Sequence, residues 1–196
     1  MFRTPVLVRD AGPDDVDDLL ELWTLRGSER ALASPVRSDA LASAAGVAAD
    51  PDQRLLVAVV DDRVAGAAHL VRAPVSPIHS DSAVYVLHLQ VVDEFRRHGV
   101  GRSLMEAAVS WAEEKDSSHV VAAASAGSRD ANRFMARLGL GPTAMVRAAS
   151  VASMRAKLPL EPPAVARVGT RGTSHRTVGQ VIVQRRSLRR ARDRTS

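Results

Sequence analysis

From Ala83 to Val92 the chain is almost continuously apolar and rich in β-branched residues, interrupted by His88 and Gln90. A strand with apolar residues at both odd and even positions must be covered on both faces, which places it centrally in a sheet with helices on either side. Directly after it comes Arg96-Arg97-His98-Gly99-Val100-Gly101-Arg102, and then Val100, Leu104, Ala108 and Trp111 recur at helical spacing up to Lys115. A helix N-terminus reached through glycines offers unpaired N–H groups and a partial positive charge. Glycine there lets the backbone approach a ligand closely and adopt dihedrals closed to other residues. Two arginines before the turn and one after add formal positive charge. The segment therefore reads as a polyanion site, with a pyrophosphate as its natural occupant.

The rest of the chain extends the same pattern. Val6 to Arg9 predicts a short strand, and Gly12-Pro13-Asp14-Asp15 predicts a helix start with proline and carboxylates in the first turn. Val16, Leu19, Leu20 and Trp23 follow as its apolar face. A second helix is expected from Ser38 to about Ala49. Leu55–Val60 and Val64–Leu70 read as strands joined by a tight hairpin at Asp61-Asp62-Arg63. Ala73 to Asp81 reads as a loop and His119 to Ala124 as a buried strand. Ala131 to Leu138 predicts a short helix stopped by Gly139. Thr143 to Ala149 is expected as a final strand, and Val151, Met154 and Leu158 suggest one or two helical turns. The order is that of an α/β domain: a mixed central β-sheet flanked by helices on both faces.

Two other phosphate motifs fail on these residues. A P-loop needs a Lys-Ser/Thr pair after its last glycine, and no such run exists. A dinucleotide fingerprint needs Gly or Ala where Leu104 stands, and an acidic residue near the end of the next strand, where His119 to Ser125 has none. Arg96, Gly99 and Gly101 instead match the Arg/Gln-x-x-Gly-x-Gly/Ala motif of the GNAT superfamily of N-acetyltransferases, with Val91 at that family's strand-end position. Ser128-Arg129-Asp130-Ala131 and Phe134 to Leu140 resemble its second motif, and Val8-Arg9-Asp10-Ala11 with Pro13-Asp14-Asp15 resembles its opening. The resemblance covers about residues 4 to 150.

The resemblance implies transfer of an acetyl group from acetyl-CoA to a primary amine by direct attack, with no metal. It implies that Arg96, Arg97, His98, Gly99, Val100, Gly101 and Arg102 hold the CoA pyrophosphate, and that Leu89, Gln90 and Val91 pair with the pantetheine arm. Ser128 stands where the family often has an asparagine that contacts the cofactor. A protonated amine must lose a proton before it attacks, so a general base is expected. His88 is the first candidate, with Gln90 on the same strand face and Leu89 on the other; His88 can equally be a histidine hydrogen-bonded within the sheet. His69 and His79 are secondary candidates, and His98 and His119 read as structural. Met135 stands where many members have a tyrosine that protonates the leaving thiolate. The alternative from another class is a GNAT-shaped CoA-binding module that regulates or scaffolds with little catalysis.

The chain has no cysteine, which excludes disulfides and thiolate chemistry. The opening Met1-Phe2-Arg3-Thr4-Pro5 lacks the apolar stretch of a secretory leader, so a cytoplasmic location is expected and no membrane contact. Much of the apolar share is alanine and valine, which predicts a core of small side chains. The whole chain carries +5, but Pro159 to Ser196 holds nine arginines against Glu161 and Asp193, a surplus of +7 that leaves the rest at −2. The sequence thus divides into a catalytic-type domain over 1–158 and, over 159–196, a Pro/Gly linker followed by a basic segment that reads as helical from about Arg176. That tail reads as a solvated appendage or as an arm forming a homodimer; nucleic acid is not its expected partner, because it lacks stacking aromatics. The acceptor is expected to be a small-molecule or protein amine.

Overall fold

The structure is a computed structural model and describes residues 5–24, 36–125, 127–144 and 146–158. The chain divides after Arg147. In the first unit, β1 (Leu7–Asp10), β2 (Gln53–Val60), β3 (Arg63–Pro74), β4 (Ser82–Val91) and β5 (His119–Ala122) form one sheet in sequence order. Neighbours are antiparallel except β4 and β5, which are parallel and are joined through the helix α3 (Val100–Glu114). Helices α1 (Val16–Thr24), α2 (Arg37–Ala49) and α4 (Arg129–Arg137) complete this unit. In the second unit, α5 (Val151–Lys157) forms at the expected turns, capped by Ser150.

The two faces of the sheet carry separate cores. On one, Val100, Leu104, Met105, Ala108, Trp111 and Ala112 of α3 pack against Leu56, Ala58, Leu70, Val84 and Val86. On the other, Leu19 and Leu22 of α1 pack with Val57 and Ala67. The helical spacing predicted for α3 is the buried face observed. In α1 it is Leu22, rather than Leu20, that is buried beside Leu19. Ala58, Ala65, Ala67, Ala68, Ala83 and Ala108 are fully buried, which bears out a core of small side chains and lets helices lie close to the sheet.

Two expectations are corrected. The described residues of Thr143–Ala149 form no strand; all are exposed, Val146 at 88%. Thr143 and Val146 are the β-branched residues there, and no ladder satisfies their backbone groups. Second, the strand read as buried from His119 to Ala124 stops at Ala122 and is only partly buried, because β5 ends the sheet; β4 lies inside it, between β3 and β5. The tail beyond Leu158, with its expected helix from Arg176, lies outside the described residues.

Asp61 and Asp62 have φ of 49° and 58°, the left-handed pair that a two-residue hairpin requires, and they join β2 to β3 as predicted. The predicted helix start at Pro13 opens as a 3-10 turn over Pro13–Asp15 before α1. Its Asp15 carboxylate, 5% exposed, accepts from both Arg9 guanidinium nitrogens at 2.6 and 2.8 Å and from the Gly12 N–H at 2.7 Å. These bonds tie the end of β1 to the start of α1. The Arg9 bonds outweigh burial and hold Asp15 below the ordinary 3.8. Its contribution to stability is therefore complete above pH 3.8 and is lost as pH falls through the lowered value. Asp15→Ala, which leaves the Gly12 N–H without its acceptor and Arg9 without its ion pair, should cost about 1–2 kcal/mol in urea unfolding at pH 7.

Candidate functional site

The site begins with a register change in β4. Leu87 pairs with His69 and Gln90 with Ala67, so His88 and Leu89 together face the single residue Ala68. His88 takes a φ of 51°, the left-handed conformation of a β-bulge. The bulge reverses the strand's alternation: Val84 and Val86 face the α3 core upstream, whereas Leu89 and Val91 do so downstream. It also coincides with the end of β5, whose pairing with β4 stops at Val86 and Ala122. Beyond that point Val92 N–H donates to Ala65 C=O at 2.9 Å on the β3 side. By alternation Leu89 and Val91 turn their N–H and C=O groups the other way, into the gap that β5 has left.

Two contacts hold the bulge. Trp23 of α1 donates its indole N–H to the His88 carbonyl at 3.0 Å, and the two rings meet edge to face with centroids 6.1 Å apart. Gly66 of β3 supplies the close approach: a Cβ there would lie 2.7 Å from the Gln90 carbonyl oxygen and 3.0 Å from Val100 Cγ1. Gln90 itself keeps a buried side-chain oxygen, Oε1, with no hydrogen-bond partner among the described residues. A buried acceptor left unpaired is costly, so this atom is suited to a ligand donor.

The strand leads into the glycine turn. Arg97 and Gly99 have φ of 66° and 94°, and Gly99 is the residue before the first turn of α3. The amides of Val100, Gly101 and Arg102 are first-turn donors beyond the reach of any intrahelical carbonyl. A Cβ on Gly101 would stand 3.4 Å from the Phe134 ring, so this glycine also lets α4 pack over the start of α3. The arginines are less free than their number suggests. Arg96 pairs with Asp93 and Arg102 with Glu106, each at 2.8 Å, while Arg97 makes no ion pair among the described residues. Both pairs are exposed, and such pairs are worth about 0–1 kcal/mol, so exchange for a bound phosphate is cheap. His98 Nδ1 lies 2.9 Å from the Arg96 carbonyl and so donates to it, bracing the turn.

The remaining predicted residues fall outside this gap or stand beside it. Ser128 caps α4, its hydroxyl accepting from the Ala131 N–H at 3.2 Å. Met135 is buried at 7% exposure. His79 lies in the exposed 75–81 loop, and His119 at the start of β5 contacts Ser118. No group of three or more His, Cys, Asp or Glu among the described residues could hold a metal ion. A cavity of about 470 Å³ between α1, the β2–β3 turn and the residues after β4 is lined by Asp18, Glu21, Asp62 and Asp93 together with Arg63. The roles of Trp23, read only as part of an apolar helix face, and of Gln53 and Gly66 escaped the sequence reading, because each acts through a partner distant in sequence. His69, half-buried against His88, is held below the ordinary 6.5 by burial first and by His88 second.

Solved structures share this fold, at identities that speak for the fold alone. A transcriptional regulator from Bacillus halodurans C-125 is 17% identical with a TM-score of 0.67, covering 74% of this chain and 99% of its own. Aminoglycoside N-acetyltransferase AAC(6')-Iy, solved in complex with CoA, is 17% identical with a TM-score of 0.62, covering 75% and 95%. Glucosamine-6-phosphate N-acetyltransferase from Arabidopsis thaliana is 12% identical with a TM-score of 0.62, covering 75% and 99%. A comparison with curated protein sequences finds no match. These neighbours define the fold as a mixed α/β fold that N-acetyltransferases also have. The sequence model of the acetyltransferase (GNAT) family matches residues 16–140, more than half of the chain, and the chain belongs to that family.

Two outcomes are expected here. Gly66→Ala should cost about 1–3 kcal/mol in chemical denaturation, because the new methyl meets backbone rather than a side chain that can turn away. In an NMR titration the His69 ring should protonate below pH 6.5, and stability should fall as pH drops through that range, since the unfolded chain takes up the proton first.

Proposed function

We propose that this chain transfers an acetyl group from acetyl-CoA to a primary amine, with the acetyl group carried in the gap beside Leu89, Gln90 and Val91. The observation that carries this reading is the coincidence of three features at one place: an open strand edge, an orphaned buried acceptor at Gln90, and a glycine turn feeding the N-terminus of α3. The pyrophosphate would take the amides of Arg97 to Arg102 and the arginine side chains at the turn, with Arg96 nearby. A pantetheine arm carries amide groups along its length, and the open groups of Leu89 and Val91 are the backbone partners for such an arm.

The chemistry follows from charge. The amine nitrogen of R–NH3+ loses a proton to His88, the first-choice base, and its freed electron pair attacks the thioester carbonyl. An N–H group on the strand edge is suited to the developing oxyanion. The C–S bond then breaks, the thiolate leaves with the electron pair and is protonated from solvent, and the nitrogen sheds its second proton to solvent as the amide forms. A thiol has a pKa near ~8.5, so it departs without a dedicated acid, and a methionine at position 135 is compatible with turnover. The mostly acidic lining of the cavity beside α1 favours a cationic acceptor. Over the described residues no helix is long and apolar enough to cross a membrane.

Calorimetric titration of acetyl-CoA into the wild type and into Gly99→Trp/Gly101→Trp tests the reading. Binding to the wild type that is lost in the double variant, with thermal melts showing both folded, is the expected result. A folded wild type that takes up no acetyl-CoA would remove the acetyl-transfer reading.

A further inference from the structure

We propose that His69 is a second proton-accepting group for the acceptor amine, and that Gln53 and Asp50 decide which of its ring nitrogens accepts. The proposal rests on the acetyl-transfer reading above and adds to it a base that β3 supplies.

The hydrogen bonds assign the tautomer. Asp50, in the turn after α2, accepts from the Asp52 N–H at 2.9 Å and from Gln53 Nε2 at 2.7 Å. Those two bonds, the backbone one first, hold it below the ordinary carboxylate range, so it is ionised and can only accept. The Gln53 amide nitrogen must therefore point at Asp50, which turns Gln53 Oε1 toward His69 Nε2, 2.9 Å away. An amide oxygen cannot donate. His69 consequently carries its proton on Nε2, and in the neutral ring Nδ1 holds a bare electron pair.

The position suits the task. His69 pairs with Leu87, the last residue before the bulge, and its ring stacks on that of His88 with centroids 6.4 Å apart and planes 18° from parallel. Among the described residues the ionisable groups facing it are His88 from β4 and, through Gln53, Asp50; Trp23 of α1 meets the His88 ring and is uncharged. Burial keeps His69 neutral near pH 7, as a base must be, and a protonated His88 opposes a second charge beside it. Where His69 rather than His88 takes the ammonium proton, an N–H bond breaks, the nitrogen keeps the electron pair, and an Nδ1–H bond forms. The resulting imidazolium still donates through Nε2 to Gln53, whose far end is anchored on the Asp50 carboxylate, and the proton then passes to solvent.

The test pairs nitrogen-15 NMR of the histidine rings with steady-state kinetics on an amine that the wild type acetylates. The spectra should show His69 protonated on Nε2 in the full chain. His69→Phe should lower kcat/KM about 10- to 100-fold at pH 7 and change the acidic limb of the pH profile, with acetyl-CoA affinity unchanged by calorimetry. Asp50→Asn allows Gln53 to turn over and donate to His69 Nε2, moving the proton to Nδ1. It should reduce activity with the ring still present, and it serves if His69→Phe fails to fold. Wild-type kinetics and pH profile in a folded His69→Phe, or an Nδ1–H tautomer in the wild type, would overturn the proposal alone. A protein that binds acetyl-CoA yet acetylates no amine in a panel would overturn the transfer reading and this proposal with it, whatever tautomer the spectra show.

Discussion

One strand has to do two incompatible things, and the bulge at His88 reconciles them. β4 must stay bonded to β3 along its length to hold the sheet together, and it must part from β5 halfway to leave an edge open. A regular strand would continue its alternation and present the same parity of side chains to the α3 core throughout. The extra residue at His88 shifts that parity, so Leu89 and Val91 rejoin the core that Val84 and Val86 began. The backbone groups of the second half then point where no strand stands. Trp23 and Gly66 are the support for this irregularity, one by a hydrogen bond to the bulged carbonyl and the other by having no side chain. A left-handed residue other than glycine costs of order 1–3 kcal/mol, which contacts of this kind offset.

The glycine turn depends on backbone more than on side-chain charge. Asp93 and Glu106 already partner Arg96 and Arg102, so the local field is less positive than the string of arginines implies. The durable feature for the proposed anion site is the set of first-turn amides, which follow left-handed Arg97 and Gly99 and are fixed by the burial of Val100 and Leu104 just beyond. Amides held by a packed helix cost nothing to reorganise when a ligand arrives, whereas long arginine side chains lose rotamer freedom.

The two faces of the sheet divide the work. The α3 face is dry and close-packed and makes the scaffold rigid. On the α1 face, α2 buries no residue fully, and polar groups on β2, β3 and β4 meet there as Gln53, His69 and His88. The proposed acceptor chemistry would use this face, where a half-buried imidazole is partly desolvated.

What the sequence by itself determined is local. Periodicity placed the buried face of α3, the Asp61-Asp62 hairpin and the glycine turn, because each depends on residues within a few positions of one another. The family followed from the same short stretch. The Thr143–Ala149 strand failed because a strand exists only if another strand accepts its backbone groups, and no run of residues carries that information. Tertiary structure alone decided that β5 stops at Ala122, that β4 bulges at His88, and that Trp23, 65 positions away, holds the bulged carbonyl. It also decided that Asp50 and Gln53 reach His69 across the β2–β3 pairing. A histidine's proton sits on whichever nitrogen its neighbours leave it, and those neighbours are set by the fold.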